Sequence, residues 1–285
     1  MGARRNKIEE AIAIALMWIS TAIVLLSVVL ILGTIMIKGF PALSLDMITK
    51  TPSGGYYLGK EGGILNAIVG SLLLTGGAVV ISIVFSLPVA LYLNIYAKRE
   101  SRFATAIRLS LDILWGIPSI VYGAFGFLLM LAFGIRASLL GGMLAVALLV
   151  LPMMARAMDE VVRLVPRDLL EASYSLGATR WETAIKVAAR QALPGVLSAI
   201  LISFGRGIGD AASVLFTAGF SDNIPTSLLE PAATLPLAIF FQLGTPFPEV
   251  QARAYASALI LTAIVLLVSV AGRLLVWRYG RHVVK

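Results

Sequence analysis

Apolar residues in this chain neither alternate with polar ones at a period of two nor form a narrow stripe along polar helices; they run together. Uncharged stretches cover residues 11–37, 64–97, 113–135, 137–155 and 254–272, and another at about 195–219 is interrupted only by Arg206 and Asp210. Crossing a hydrocarbon layer of about 30 Å takes roughly 20 helical residues. The pattern therefore predicts six membrane-spanning helices in one domain over residues 1–285. The second stretch exceeds one perpendicular span, so it tilts or begins outside the apolar layer. The first follows Arg4, Arg5 and Lys7, as a signal peptide would, but its 27 residues exceed the roughly 7–15 of a cleaved apolar region. It reads as an uncleaved span.

Composition agrees with an all-α integral membrane protein: 59% of the 285 residues are hydrophobic, 13% are charged and mean hydropathy is +0.94. Soluble domains carry about 25% charge, so an ordinary soluble enzyme, a disordered chain and a coiled coil are excluded. No cysteine is present and His282 is the single histidine. Thiolate chemistry and paired-histidine metal sites are thereby absent. With the N-terminus inside, 17 of the 23 basic residues fall on the cytoplasmic side, leaving Lys38, Lys50, Lys60, Arg136 and Arg253 outside. The net charge of +8 thus reflects topology, following the positive-inside bias, with no basic face for nucleic acid. Both termini are expected in the cytoplasm of a prokaryotic inner membrane protein. The outer loops, about 38–63 and 220–253, are expected to receive an external partner.

Polar punctuation is concentrated between the fourth and fifth spans. Pro166 can open a helix, Asp168 and Glu171 place negative charge near its start, and Gly177 can close it in a left-handed conformation. Thr179 stands three residues before Glu182, a capping-box spacing that opens a second helix. On it Trp181, Ile185, Ala188 and Ala192 share a face until Pro194. Two short helices meeting at a glycine make a cytoplasmic elbow over about 159–192. Its apolar stripe suits either a groove on a partner or the lipid headgroup surface. Pro88, Pro118, Pro152 and Pro236 sit inside or beside spans as kinks or helix breaks.

The segment Glu171-Ala172-Ser173, followed after three residues by Gly177-Ala178, resembles the EAA loop of ATP-binding-cassette (ABC) importer permeases. Ser173 replaces the second alanine, Val187 stands for an isoleucine, and Leu193-Pro194 follows four residues after the usual Leu-Pro position. Gly63-Ile64-Leu65-Asn66-Ala67-Ile68-Val69-Gly70-Ser71-Leu72, Gly116-Ile117-Pro118-Ser119-Ile120-Val121-Tyr122-Gly123, Gly205-Arg206-Gly207-Ile208-Gly209-Asp210-Ala211-Ala212 and Leu235-Pro236-Leu237-Ala238-Ile239 are similar to the phosphate-importer permeases. The resemblance implies the type I ABC importer permease fold. It makes the elbow, with Glu171, Ala172, Ser173, Gly177, Ala178 and Trp181, a coupling helix seated on a cytoplasmic ATPase. It also implies a homologous second permease, two copies of the ATPase subunit carrying ATP and magnesium, and an extracytoplasmic phosphate-binding protein. No cofactor is expected on this chain. Asp210 stands where the family usually has glutamate, and Ala211-Ala212-Ser213 where it often has Thr-Ala-Pro, so another oxyanion is the alternative cargo.

Arg206 and Asp210 are four residues apart, a spacing that places both on one face of a continuous helix. Charges at that depth require a partner, water or a ligand. They make either a structural ion pair or an anion station, where the guanidinium grips two oxygens and the carboxylate accepts from a protonated one. Gly205, Gly207 and Gly209 leave room for close helix approach, with Gly205 and Gly209 as the frame, or permit local unwinding. Two rival motifs are weaker. Gly207-Ile208-Gly209-Asp210, with Asp112 as second acid, imitates an intramembrane aspartyl protease. Residues 54–60 imitate a phosphate-binding loop, but Glu61 replaces the hydroxyl that would hold magnesium.

Overall fold

Among the described residues, five helices are long and apolar enough to cross a membrane, and the count reaches six when one sharply bent helix pair is taken as a single span. The structure is a computed structural model describing residues 2–53, 61–98 and 101–280. His282 and the loop-like motif at 54–60 lie outside those residues. In chain order the elements are α1 (Gly2–Gly39), α2 (Leu45–Thr49), a strand pair β1 (Pro52–Ser53) and β2 (Glu61–Gly62), α3 (Leu65–Leu91), α4 (Arg102–Trp115) and α5 (Ser119–Ala132). There follow α6 (Leu139–Arg163), α7 (Arg167–Ser175), α8 (Arg180–Glu182), α9 (Ala189–Ile208), α10 (Leu235–Leu243) and α11 (Pro248–Gly280). Wide π turns extend α3 over Tyr92–Tyr96 and join α8 to α9 over Thr183–Ala188. β1 and β2 pair antiparallel, Pro52 with Gly62 and Ser53 with Glu61.

The centre of the bundle is the contact of α3 with α6. Lipid tails are as apolar as leucine, so helix association here depends on close approach and buried polar contacts. Both are present: Gly77 lies against Met143 and Gly142 against Leu74 and Ala218, while the Ser82 hydroxyl reaches the Ala147 carbonyl at 3.2 Å and Ser86 the Leu151 carbonyl at 3.2 Å. Pro88, Pro152 and Pro194 are all accommodated within helices.

Three expectations are corrected. The third span is not one straight helix: α4 and α5 are bent by 98°, because Pro118 lacks an amide proton and disfavours helical backbone at Ile117. At the bend the Leu114 carbonyl accepts from the Ile117 amide at 3.1 Å and from the Tyr122 hydroxyl at 2.7 Å. The fifth span ends early, at Ile208, and residues 209–219 form turns; conversely, Pro194 does not stop the helix that starts in the elbow. Finally, 220–253 is not an open loop. Ala232, Ala233, Leu235 and Ala238 are buried, Leu139 and Leu140 amides donate to the Glu230 and Leu228 carbonyls, and Ser71 accepts from the Leu235 amide at 2.8 Å. Gly70 permits this packing, since a Cβ there would lie 2.0 Å from the Ala233 carbonyl oxygen.

Candidate functional site

Arg206 occupies the last turn of α9 and is exposed. Asp210 does not share its helical face, because Gly209 is the C-cap and the chain has left the helix. The Asp210 carboxylate instead caps the following turn, accepting through Oδ2 from the Ser213 amide at 2.8 Å and from the Ser213 hydroxyl. The expected four-residue pair is therefore not formed. Among the described residues no carboxylate pairs with Arg206. Asp210 Oδ1 keeps its acceptor capacity.

The glycine frame also differs from expectation. A Cβ on Gly205 would meet nothing within 4 Å and one on Gly209 only its own helix, whereas one on Gly207 would meet Val146 at 3.1 Å and Thr75 at 3.2 Å. Gly207 is thus the packing glycine. Gly205, Arg206 and Gly209 line a face of the subunit that its own helices leave uncovered. On the other flank, α5 presses Gly123 onto the Asp210 turn: a Cβ there would lie 2.8 Å from the Ser213 carbonyl and 2.9 Å from that of Ala212.

The elbow forms largely as its punctuation dictates. Pro166 is the N-cap of α7, Gly177 takes φ +83°, and Thr179 with Glu182 completes a capping box at 3.2 and 3.0 Å. Glu171, Ala172, Gly177 and Trp181 are exposed at the tip and Ala178 is half-buried. Ser173 points inward, its hydroxyl 2.9 Å from that of Thr183, tying the two arms together. The single apolar stripe is not realised. The π turn shifts the helical phase, so Trp181 and Ile185 face out while Ala188 and Ala192 are buried in the core.

Sequence reasoning missed the densest charge cluster. Asp159 of α6 is fully buried and accepts from Arg108 of α4 through two nitrogens at 2.7 and 2.9 Å, from Asn94 at 2.8 Å and from Arg156 at 3.0 Å. Arg156 also holds Asp112 at 2.8 Å. The four donors match the acceptor capacity of a carboxylate and offset its desolvation. The available signal was the Arg156, Asp159 spacing of three at the end of an apolar run. This cluster also removes the protease reading, since Asp112 is engaged by Arg156 and Asp210 by Ser213, whereas a catalytic dyad shares one proton.

Comparison with known proteins gives a consistent result. Residues 82–281 match the family described as binding-protein-dependent transport system inner membrane component. The chain is 34% identical over 270 residues to the phosphate transport system permease protein PstA of Haemophilus influenzae, covering 94% of each chain. It is 35% identical to PstA of Xylella fastidiosa (96% of this chain, 95% of that one) and 34% identical to PstA 1 of Mycobacterium tuberculosis (95% and 90%). Among solved structures it superposes on a chain of the inward-facing MetNI methionine ABC transporter with a TM-score of 0.59 at 21% identity, covering 75% of this chain and 95% of that one.

Proposed function

The chain belongs to the family of binding-protein-dependent transport system inner membrane components, and from that premise we propose that it is the transmembrane permease subunit of an ABC importer for inorganic phosphate. It is a multi-pass, non-catalytic membrane subunit. The similarity to three phosphate permeases along nearly the whole chain is the observation that carries the reading. In this assignment a PstC-like permease completes the pathway, two copies of a PstB-like subunit hydrolyse ATP with magnesium, and a PstS-like protein delivers the anion. The elbow lies in the cytoplasm, as do both termini, with Glu171, Ala172, Gly177, Ala178 and Trp181 against the ATPase and Ser173 stiffening the joint from within.

Arg206 is the station for the anion in passage. Its exposure on a glycine-lined face, with no carboxylate pairing it among the described residues, supports this role, because an intramembrane charge requires a ligand, water or partner. A guanidinium can hold two phosphate oxygens, and Asp210 Oδ1 can accept from the protonated oxygen of monobasic phosphate but would repel a fully deprotonated sulfate. Since Asp210 is held by Ser213, Arg206 can be altered without stranding a buried carboxylate. The assembled complex carrying Arg206→Met should retain the partner permease and ATPase yet fail to import radiolabelled phosphate. Arg206→Lys should import weakly, because a point charge cannot reproduce the planar fork. Near-normal uptake by the assembled Arg206→Met complex would overturn the station; uptake of another oxyanion in place of phosphate by the unaltered complex would overturn the cargo.

A further inference from the structure

Where the ends of α3 and α6 meet the start of α7, the chain forms an open-sided pocket of about 200 Å³. Its walls include Leu93 and Asn94 at the end of α3, Arg108 of α4, Arg163 at the end of α6 and Arg167 opening α7. Among the described residues no acidic side chain lines it. Arg108 is committed to Asp159, but Arg163 and Arg167 are exposed and form no ion pair among the described residues. Two unneutralised guanidiniums thus border a volume larger than a phosphate group.

The depth of the cavity identifies its occupant. It lies where two spanning helices stop, at Tyr96 and Arg163. Beside it runs α4, bent by 98° from α5. One face of α4 buries Ala104 and Leu111, and the other leaves Phe103, Leu109 and Ile113 exposed. A helix turned across its spanning neighbour, with apolar side chains outward, lies in the interfacial plane of a bilayer. The cavity therefore opens at headgroup depth, and the outer face of α4 continues it as a surface for acyl chains.

We propose that this cavity binds the phosphodiester headgroup of an anionic phospholipid of the phosphatidylglycerol type. Guanidiniums pair with phosphodiester oxygens through charge-assisted hydrogen bonds, and basic pockets between spanning helices on the cytoplasmic side accept such headgroups. Arg163 and Arg167 flank the joint of Leu164, Val165 and Pro166 that leads into the elbow. A bound headgroup bridges that joint, so lipid composition sets how stiffly the elbow is held.

The test uses the complete transporter in nanodiscs of phosphatidylcholine doped with spin-labelled phosphatidylglycerol. Immobilised label should be present in the parent. Each of Arg163→Gln and Arg167→Gln should weaken its retention about fivefold, as expected for one basic residue at an anionic headgroup. Spin-labelled phosphatidylcholine should be unaffected, and so should the label when Arg273 and Arg278, exposed basic residues of α11, are both changed to Gln. Equal loss from the α11 changes would mean a diffuse surface field and overturn the site, as would no immobilisation in the parent. Displacement of the label by added inorganic phosphate, but not by added glycerol phosphate diester, would assign the cavity to the free anion instead. Release of the ATPase by the Arg163 or Arg167 variants would reassign it to the docking surface and likewise overturn the proposal.

Discussion

Asp159 and Asp210 show how little a carboxylate's role depends on its type. Both sit at the edge of apolar stretches, yet Asp159 is fully buried among four donor contacts from three side chains and Asp210 caps a turn through Ser213. Asp159→Asn leaves Arg108 and Arg156 partly uncompensated and should destabilise the subunit by roughly 3 kcal/mol or more. Asp159→Leu combined with Arg108→Met should recover much of that loss, with thermal unfolding of the assembled complex as the measurement. Neither contact was legible in the sequence, because Asn94 and Arg108 reach Asp159 only after α3, α4 and α6 have packed. Glu230 is a simpler case. Amide and hydroxyl hydrogen bonds from Thr226, joined by the Ser227 amide, hold its carboxyl below the ordinary 4.5. A depressed carboxylate contributes above its ordinary value and loses that contribution as pH falls through the folded one. Protection of the Thr226 amide against hydrogen exchange, taken relative to the free-amide rate at each pH, should therefore hold from neutrality down to about pH 5 and be lost only in stronger acid, whereas Glu230→Gln should abolish that acid-linked change.

The elements divide by whether their determinants are local. The elbow was readable because proline, capping threonine and left-handed glycine act within a few residues, and all three appear where the spacing put them. The bend of α4 against α5 was not, although Gly116, Ile117 and Pro118 were visible, because a proline in a membrane helix can equally be absorbed, as Pro88 and Pro152 are. What decides is packing on both sides of the break. Gly177 has φ +83° with open space around a would-be Cβ, so Gly177→Val introduces backbone strain of about 1–2 kcal/mol and no clash. It should raise ATP hydrolysis per phosphate imported, and Gly177→Asn should be nearly silent. Gly123→Ala is the opposite kind of change: its Cβ meets the Ser213 carbonyl at 2.8 Å. It should push α5 off the Asp210 turn and lower uptake severalfold while ATPase retention is unchanged, which paired uptake and pull-down measurements would check.

At the scale of the whole molecule, hydropathy located five of the six expected spans on single helices, and the expected third falls on the bent pair. The strongest departure is the stretch from 209 to 243, where an apolar composition conceals turns and the short α10 folded into the bundle. Apolar content reports burial, and only the contacts at Gly70, Ser71 and the start of α6 decide that this stretch is woven in as turns and not extended as a helix. The ends carrying Lys38 and Arg253 lie together, with the Lys38 ammonium 5.0 Å from the Tyr255 ring centre and Arg253 bonded to the Gly62 carbonyl. They stand at the end opposite the elbow, as alternating spans require. The first helix itself leaves Ile12, Trp18, Leu25 and Met36 exposed, and its main contact is α11, with Gly39 close against the Tyr255 carbonyl. A ribosome makes α1 first and α11 last of the described helices. During synthesis α1 must wait in the bilayer, anchored by lipid alone, until its docking surface has been translated. A nascent chain arrested before Pro248 should leave the Gly39 end of α1 open to crosslinking by insertion factors, and the chain released from the ribosome should not.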